Sequence, residues 1–433
     1  MAHGKIKQKN DVCILGLGYI GLPTASILAA TGMQVLGVDT NASLVQILQD
    51  GNCLLRERDL DVMVRSAVQS GNLRVSDKPE EADTFIICVP TPFKEGNAPD
   101  ISFVETAVRS IAPFVRAGNL VILESTIPVG TTEKMAALLA GVRPDLDSAP
   151  RESGAKFPFS VAHCPERVLP GRILRELVEN DRIVGGVDAE ATRRGIEFYR
   201  TFVKGAVEGT DARTAEMIKL AENSFRDVNI AFANELSLIC DELGLDVWQV
   251  IALANRHPRV NILRPGPGVG GHCIAVDPWF LVDSAPNVTR LIRTAREVND
   301  AKPATVIAHT LTAAGARPDA TVACLGLAFK PDVDDLRQSP AVTIVEALAR
   351  AGIKLVVCDP CIPALPPTLA NRPNVEKKDL DTCLREADVI LALVGHSAFA
   401  GIDAQALARK TVIDACGLWR HRERTPAAAP TEK

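Results

Sequence analysis

The chain has 433 residues, enough for two or three domains with sizeable cores. The formal net charge of -5 provides no basic surface for nucleic acid or anionic lipid. No uncharged apolar run reaches the roughly 18 residues that a membrane helix needs, and 11 cysteines without framework spacing suit a reducing compartment. We therefore expect a cytoplasmic protein with neither a nucleic-acid nor a membrane partner.

The first apolar segment contains a nucleotide-binding pattern. Val12–Leu15 predicts a buried strand, a glycine turn and a helix follow it, and Gln34–Val38 predicts the next strand. Glycines in such a turn admit a pyrophosphate to the helix N-terminus, and an acidic residue after the second strand binds the ribose and repels a 2′-phosphate. The pattern predicts NAD as the cofactor. The predicted contacts are Gly16, Gly18, Tyr19, Ile20, Gly21 and Asp39.

Two later strands end in turns that we expect at the same edge of the sheet. Thr84–Val89 leads into a turn with Thr91, and Leu120–Glu124 leads into a turn with Thr126. Ligands of open α/β sheets bind beyond the carboxyl ends of the strands, so both threonines are predicted to contact the cofactor. Ordinary turn chemistry is the alternative explanation.

A long amphipathic helix is predicted from about Asp211 to Leu243, because apolar residues recur there at steps of three and four. Such a helix spans about 50 Å and can link two domains. Lys219, Asn223 and Arg226 form a polar stripe beside the apolar one. That stripe is either a solvated face or part of a site.

The segment Pro265–Pro278 contains four glycines before Cys273 and a carboxylate, Asp277, four residues after it. Glycines let a backbone approach a ligand closely, so this loop can press a thiol against a substrate. A surface turn with a structural cysteine is the alternative. Cys358 and Cys361 form the only CxxC, without a second cysteine pair or a histidine pair at ligand spacing, so no metal site is predicted.

In combination, these motifs resemble the UDP-glucose/UDP-N-acetylmannosamine dehydrogenase family over about residues 11–420. The resemblance rests on GLGYIGLP, VPTP, STIPVG, CPERVLPG, KLAEN, GPGVGGHCIAVDP and GLAFKPDVDDLR. The segments HPRVNILRPGPGVGGHCIAVDPWFL and RLIRTAREVND are similar to the UDP-N-acetyl-D-mannosamine 6-dehydrogenase branch. The resemblance implies NAD-dependent four-electron oxidation of the sugar C6 alcohol to a carboxylate. UDP-N-acetyl-D-mannosamine is the expected substrate, and UDP-N-acetyl-D-glucosamine and UDP-glucose are the alternatives.

The resemblance also implies roles for individual residues. Cys273 would be the nucleophile, Lys219 the proton donor or acceptor, and Asn223 and Asp277 would position the reacting groups. Arg337 would reach the cofactor across a subunit interface. The implied substrate contacts are Glu166, Arg167, Val168, Lys219, Asn223, Arg226, His257, Arg259, Gly271, Phe329 and Lys330.

Two departures from the family pattern stand out. UDP-glucose relatives usually have a second glutamate shortly after the one matching Glu166, whereas Leu169-Pro170-Gly171 stands here. Relatives often end a late strand with D-x-[KR]-G, whereas this chain has Asp414-Ala415-Cys416-Gly417. A contact to phosphate or uracil is therefore either missing or supplied by another residue.

The predicted fold is α/β, with two Rossmann-like parallel-sheet domains joined by a long central helix. We expect an NAD-binding domain at residues 1–208 and a central, dimer-forming helical domain with the cysteine loop at 209–316. A UDP-sugar-binding α/β domain is expected at 317–424 and a disordered tail at 425–433. The wide apolar stripe on the long helix predicts a homodimer or a higher homo-oligomer.

Two other functions remain open from the residues alone. The first is a two-electron hydroxyacid dehydrogenase, for which a helix with Lys-x-x-x-Asn suffices and in which Cys273 would merely pack. A catalytically silent NAD-binding protein is the second alternative, although the combination of Lys219, Asn223, Cys273 and Asp277 argues against it.

Overall fold

The computed structural model describes residues 9–419 except 56, 153, 170, 272 and 316–318. The chain divides into two compact units. One contains the residues up to Glu222 together with Trp279–Ser284, and the other contains Asn223–Pro278 and the residues from Ala285 onward. The predicted tail at 425–433 lies outside the described residues, and the domain boundaries stay predictions.

The first unit is built on a sheet of eight strands. They are β1 (Asn10–Leu15), β2 (Val35–Val38), β3 (Leu73–Ser76), β4 (Ala82–Ile87), β5 (Leu120–Leu123), β6 (Ser160–His163), β7 (Arg182–Gly186) and β8 (Val207–Asp211). Their order in the sheet is β3-β2-β1-β4-β5-β6-β7-β8. The helices are α1 (Gly21–Ala30), α2 (Ala42–Gln49), α3 (Leu60–Gln69), α4 (Ser102–Ile111), α5 (Thr131–Val142), α6 (Ile173–Glu179) and α7 (Ala189–Tyr199).

Apolar strands form the centre of this sheet and are buried on both faces. In β1, Cys13 and Leu15 belong to the core on one face, while Val12 and Ile14 belong to the core on the other. Side chains of a strand alternate between faces, so a strand covered on both sides has a continuous apolar run. This confirms the strands predicted from such runs.

The sheet is parallel except at one pair. Strand β7 runs antiparallel to β6, with His163 opposite Gly185, and β8 is parallel to β7. The reversal places the beginning of β7 beyond the carboxyl end of β6. The sequence predicted a parallel sheet and gave no sign of β7, because Arg182 and two glycines interrupt its apolar run.

Helix α8 (Ala212–Leu243) has 32 residues and confirms the predicted long helix. From Asn223 onward its apolar stripe is exposed, with Phe225 70%, Phe232 57% and Leu243 66% accessible in the single chain. The buried face contains polar side chains beside small apolar ones; the polar residues are Ser224, Asp227, Asn234 and Ser237. Asp227 accepts hydrogen bonds from Arg296 (2.6 Å) and Asn299 (2.8 Å) on a neighbouring helix of the same unit.

The second unit contains a sheet of five parallel strands. They are β9 (Thr321–Leu325), β10 (Lys354–Cys358), β11 (Val375–Lys377), β12 (Val389–Ala392) and β13 (Thr411–Asp414). Their order is β11-β10-β9-β12-β13, with all neighbours parallel. This is the predicted second Rossmann-like sheet.

The remaining helices follow α8 in the chain. They are α9 (Val247–Ala254), α10 (Asp277–Ser284), α11 (Arg290–Gly315), α12 (Pro340–Arg350), α13 (Pro367–Ala370), α14 (Leu380–Glu386) and α15 (Ala404–Leu407). Among the helices described, none combines the length and the apolar character needed to cross a bilayer.

Candidate active site

The glycine turn after β1 is shaped by close backbone contacts. Gly16 has φ of 91°, and a Cβ there would lie 2.6 Å from the carbonyl oxygen of Cys88. A Cβ on Gly21 would lie 1.8 Å from the carbonyl oxygen of Gly16. Around Gly18, by contrast, no described atom lies within 4 Å of the Cβ position. The outer glycines are required by the turn itself, while Gly18 borders open space that a ligand can occupy.

Asp39 holds this turn from the end of β2. Its carboxylate accepts the backbone N–H of Leu17 (2.9 Å) and that of Asn41 (2.9 Å) through different oxygens. Each carboxylate oxygen has a second lone pair, so Asp39 can still accept a ribose hydroxyl. Tyr19 and Ile20, both half-buried, lead into α1, which has no side-chain cap at Ile20. These residues fit the diphosphate and ribose of NAD.

The loops that follow β4 and β5 are joined by a hydrogen bond. Thr91 donates its hydroxyl hydrogen bond to the carbonyl oxygen of Thr126 at 2.7 Å. Behind them, Glu216 of α8 accepts the N–H groups of Gly130 (2.5 Å) and Thr132 (2.7 Å) at the start of α5. Burial raises the pKa of Glu216. The structure thus brings Thr91 and Thr126 together and anchors the loop that contains Thr126.

Lys219 lies against the carboxyl end of β6. Its Nζ donates to the main-chain oxygen of Glu166 at 2.5 Å, and the buried Glu166 carboxylate accepts Arg182 Nη1 at 2.8 Å. Arg167 forms an ion pair with Glu222 at 2.7 Å. Val168 is half-buried and packs against the core. Of the predicted substrate residues, the first unit therefore gathers Glu166, Arg167, Val168 and Lys219 at one edge of its sheet.

In the second unit, the cysteine loop leads directly into a helix. The carbonyl oxygen of Cys273 accepts the N–H groups of Val276 (2.9 Å) and Asp277 (2.9 Å), which form the turn before α10. Asn223 Nδ2 donates to Asp277 Oδ2 at 2.5 Å. Asp277 is buried and Cys273 is half-buried. The structure therefore brings Asn223, Asp277 and the turn with Cys273 together.

The glycines of this loop allow it to lie against the segment after β9. Gly271 has φ of 87°, and a Cβ there would lie 2.8 Å from the Phe329 ring. Its N–H donates to the carbonyl oxygen of Arg337 at 3.1 Å. Lys330 Nζ lies 5.6 Å from the centre of the Phe329 ring, and the Arg337 guanidinium is bound by Asp335 at 2.6 Å. The cysteine loop and the predicted uridine-diphosphate residues thus share one region.

Three predicted substrate residues lie on the surface of the second unit. Arg226, His257 and Arg259 are exposed, and the Arg259 N–H donates to His257 Nδ1 at 3.3 Å. Nothing in the second unit's described contacts links them to the cysteine loop.

The sequence analysis missed Arg264. Its Nη2 donates to the carbonyl oxygen of Gly417 at 3.0 Å, and its guanidinium lies 5.3 Å from the centre of the Trp248 ring. Arg264 therefore brings a cation to the end of β13, where the sequence has Cys416 in place of the usual basic residue. The only available sign was an arginine close to the glycine loop.

A second cluster that the sequence did not predict surrounds His396. Side-chain ligand atoms of Asp332, Cys361 and His396 lie within 4.8 Å of one another. His396 Nδ1 accepts the Asp332 N–H (3.0 Å), and Nε2 pairs with Asp359 Oδ2 (3.2 Å). Burial raises the pKa of Asp359, but the hydrogen bond and charge of His396, together with the N–H groups of Leu327 and Cys361, outweigh it and hold the pKa at about 2. Both ring nitrogens are engaged, so the cluster holds the segment after β9 in place.

Comparison with known proteins identifies the family. Residues 10–203 match the NAD binding domain of the UDP-glucose/GDP-mannose dehydrogenase family, residues 213–301 its central domain, and residues 323–421 its UDP binding domain.

Three relatives illustrate the similarity. An NDP-N-acetyl-D-galactosaminuronic acid dehydrogenase from Ralstonia nicotianae is 53% identical, over 94% of this chain and 96% of the relative. A UDP-N-acetyl-D-mannosamine dehydrogenase from Escherichia coli is 52% identical, over 94% of this chain and 99% of the relative. The solved UDP-N-acetyl-mannosamine dehydrogenase from Staphylococcus aureus superposes with a TM-score of 0.83 at 42% identity, over 94% of this chain and 95% of the other.

The glycine turn with Asp39, the lysine at the edge of the first sheet and the cysteine turn of the second unit all occur within these matched domains. The chain belongs to the UDP-glucose/GDP-mannose dehydrogenase family and is an NAD-dependent nucleotide-sugar dehydrogenase.

Proposed function

We propose that the protein oxidises the C6 alcohol of UDP-N-acetyl-D-mannosamine to the carboxylate, giving UDP-N-acetyl-D-mannosaminuronate. The observation that supports this most directly is the turn at Cys273. Cys273 lies in the turn before α10, and its carbonyl oxygen accepts the N–H of Asp277, whose carboxylate accepts the Asn223 amide at 2.5 Å. A nucleophile beside a positioned carboxylate is what a four-electron oxidation requires and what a two-electron dehydrogenase does not need.

NAD, held by the glycine turn and Asp39, would supply the oxidising power by taking up one hydride in each of the two oxidations. In the first step Lys219 takes the proton of the C6 hydroxyl while a hydride leaves C6, and the product is an aldehyde. The aldehyde cannot lose a second hydride from C6 until a nucleophile has added to its carbonyl carbon. The Cys273 thiolate adds to the aldehyde carbon and forms a thiohemiacetal, which becomes a thioester on losing the second hydride.

Hydrolysis of the thioester completes the reaction. One water adds to the thioester carbonyl, the C–S bond breaks, and the thiol of Cys273 is restored. We assign the orientation of this water to Asp277, because its buried carboxylate is held by the Asn223 amide. The second glutamate that UDP-glucose relatives have shortly after the one matching Glu166 is absent here, and Asp277 is the carboxylate nearest to Cys273 in the sequence.

The UDP moiety is assigned to the second unit. Phe329 and Lys330 lie beside the cysteine loop, and Arg264 lies beside Gly417 at the end of β13. Lys330 and Arg264 provide cations for a diphosphate, and Phe329 provides an apolar face. We infer that Arg264 supplies the charge that Cys416 does not.

The amino sugar is the least constrained part of the proposal. The cysteine loop resembles the N-acetylmannosamine branch, whereas the Ralstonia relative is named for N-acetylgalactosaminuronic acid. Initial rates with the UDP derivatives of N-acetylmannosamine, N-acetylglucosamine, N-acetylgalactosamine and glucose distinguish these possibilities. Faster turnover of any other sugar than N-acetylmannosamine overturns the substrate assignment. NAD and nucleotide sugars are cytoplasmic metabolites, and we place the enzyme in that compartment.

We further propose that the protein is a homodimer or a higher homo-oligomer, built on α8. Its exposed apolar residues Phe225, Phe232 and Leu243 recur along one face. A face of this kind is typical of an interface between copies. In such an assembly Arg337 of one copy would serve the NAD of another. Sedimentation of wild type and Phe232→Glu tests this, and a wild type that is monomeric at micromolar concentration refutes it.

The stoichiometry of NADH tests the chemistry. Wild type should release two NADH per sugar consumed, while Cys273→Ala should bind NAD and UDP-sugar but form no acid. The matched control is Cys53→Ala, which removes a half-buried thiol of the first unit. One NADH per sugar in wild type, or near-normal acid formation by Cys273→Ala, leaves only a two-electron dehydrogenase.

A further inference from the structure

A buried guanidinium lies behind Lys219. Arg182 is 2% exposed, and its Nη1 donates to Glu166 Oε2 at 2.8 Å. The main-chain oxygen of the same glutamate accepts Lys219 Nζ at 2.5 Å. Glu166 therefore contacts two cations through different atoms, Arg182 through its carboxylate and Lys219 through its carbonyl.

The reversed strand explains why an arginine is present at this place. In the antiparallel pair of β6 and β7, His163 lies opposite Gly185. Three residues further along the same register, Glu166 comes opposite Arg182. In a fully parallel sheet the start of this strand would lie at the opposite edge. The reversal thus delivers a cation to the carboxyl edge, where the ligands of such sheets bind.

Without the guanidinium of Arg182, the Glu166 carboxylate would have the ammonium of Lys219 within reach as another partner. The carbonyl of Glu166 already touches Lys219 Nζ, so rotation of the side chain can bring the carboxylate to the ammonium. A buried carboxylate without a cation is costly, which favours that rotation. A carboxylate beside an ammonium stabilises the protonated form. Lys219 would then be a poor acceptor for the proton of an alcohol.

We propose that Arg182 is a positioning residue that keeps the Glu166 carboxylate away from Lys219, so that the lysine meets the carbonyl dipole of Glu166 and not its carboxylate. This inference rests on the proposed function, in which Lys219 accepts the C6 hydroxyl proton. Arg182 itself touches neither the reacting atoms nor the cofactor in this role. It acts through the conformation of Glu166.

Of the other ionisable groups around this pair, the buried Glu124 also interacts electrostatically with Arg182, but Glu166 is the carboxylate that the guanidinium contacts at 2.8 Å. Burial raises the pKa of Glu124, which accepts the Tyr199 hydroxyl at 2.5 Å. Burial lowers the pKa of His163 to about 3, so it is neutral near Lys219. Burial opposes the charge of Arg182, yet Glu166 raises its pKa. The remaining groups are two thiols and one ion pair. The Cys88 thiol donates a hydrogen bond to Glu124, Cys164 is buried, and Arg167 pairs with Glu222.

The pH dependence of the first hydride transfer tests the inference. The rate of first NADH formation is measured in single turnovers with saturating NAD and UDP-N-acetyl-D-mannosamine. The rate is expected to fall on the acid side of its pH profile, where Lys219 is protonated. In Arg182→Gln we expect this acid limb to lie about one pH unit higher. At pH values below the limb, the rate should therefore be about tenfold lower than in wild type. The double variant Arg182→Gln/Glu166→Gln contains no carboxylate to release, so its limb should return to the wild-type pH even if its maximal rate is lower.

The matched control is Arg175→Gln, since Arg175 is an exposed arginine of the same unit paired with Glu179 at 2.6 Å. Its limb should not move. An unmoved limb in Arg182→Gln, or an equally displaced limb in the double variant, overturns the inference. If Arg182→Gln does not fold, Arg182→Lys replaces it and should shift the limb in the same direction by less; no shift again overturns the inference. A wild type without NADH formation on any UDP-sugar refutes the proposed function instead.

Discussion

His163 offers a direct test of the electrostatics behind the first sheet. It is fully buried in β6, and neither ring nitrogen has a hydrogen-bond partner of acceptable geometry among the described residues. Burial lowers its pKa from 6.5 to about 3. The unfolded chain therefore binds a proton below pH 6.5 that the folded protein excludes until about pH 3. The free energy of unfolding must fall as the pH drops through this window.

The size of this effect follows from linkage. One proton taken up on unfolding costs about 1.4 kcal/mol per pH unit, or about 2 kcal/mol between pH 7.5 and 5.0. His163→Leu removes the titration and fills a similar volume. Because it also removes two unpartnered nitrogens, we expect it to be neutral or slightly stabilising at pH 7.5. Wild type should then lose about 4–8 °C more in Tm than the variant between these two pH values.

Thermal unfolding followed by circular dichroism at both pH values provides the measurement. All other groups titrate alike in both proteins, so the comparison isolates His163. The exposed His309, changed to Gln, is the control and should follow wild type. Equal losses of Tm in wild type and His163→Leu would show that the folded protein already protonates this histidine or satisfies it with a bound group.

Three further predictions concern the two sheets. Gly21→Ala should weaken NAD binding at least tenfold by calorimetry, because its Cβ would lie 1.8 Å from the Gly16 carbonyl oxygen; unchanged affinity contradicts the proposed cofactor turn. Asp39→Asn should narrow the preference in kcat/KM for NAD over NADP, since it removes the charge that repels a 2′-phosphate, and wild type with equal efficiency for both would refute that role. Asp359 has a pKa lowered to about 2 in the folded protein, so its ionised carboxylate stabilises the folded state above about pH 4. This stabilisation is lost as the pH falls through 2. Asp359→Asn should therefore be less stable than wild type at pH 5, with the difference shrinking towards pH 2 in acid denaturation.

The parts of the fold that depend on local patterns were predictable from the sequence. Central strands such as β1 and β4 are continuous apolar runs, because both faces of the sheet are covered. The glycine turn was predictable because its backbone excludes a Cβ at fixed positions. Strand β8, by contrast, reads Val-Glu-Gly-Thr-Asp and lies at the sheet edge, so no apolar run marks it.

The parts of the site that depend on long-range pairing could not be predicted. Arg182 is opposite Glu166 only because β7 is reversed, and nothing in either segment encodes that reversal. Likewise, the arginine beside Gly417 is 153 residues away in the chain. The predicted site residues themselves came from resemblance, and the structure adds the contacts that hold them.

Helix α8 shows that a correct periodic pattern does not by itself define the environment of each helix face. Its period of three and four indicated an apolar face, but did not say whether the same chain or another copy covers it. In the single chain the buried face is the one that contains polar side chains such as Asp227 and Ser237. There Asp227 meets Arg296 at 2.6 Å, and Lys302 donates to Ser237 at 2.6 Å. Stability of the second unit should therefore depend on this polar face more than on the apolar stripe.

Asp227→Asn tests that conclusion. It keeps the shape of the side chain but leaves the guanidinium of Arg296 without its buried counter-charge, with only the partly exposed Asp300 remaining. Removing one partner of a buried pair costs about 3 kcal/mol, which corresponds to a fall in Tm of about 6–12 °C. The matched control, Glu242→Gln, neutralises an exposed carboxylate on the same helix and should leave the Tm within about 2 °C of wild type. Since both variants keep Phe225 and Phe232, they leave the proposed interface intact, and sedimentation checks that they do. If Asp227→Asn has the same Tm as wild type, water must reach the face that the structure buries. The contacts of the apolar stripe would then be what stabilises α8.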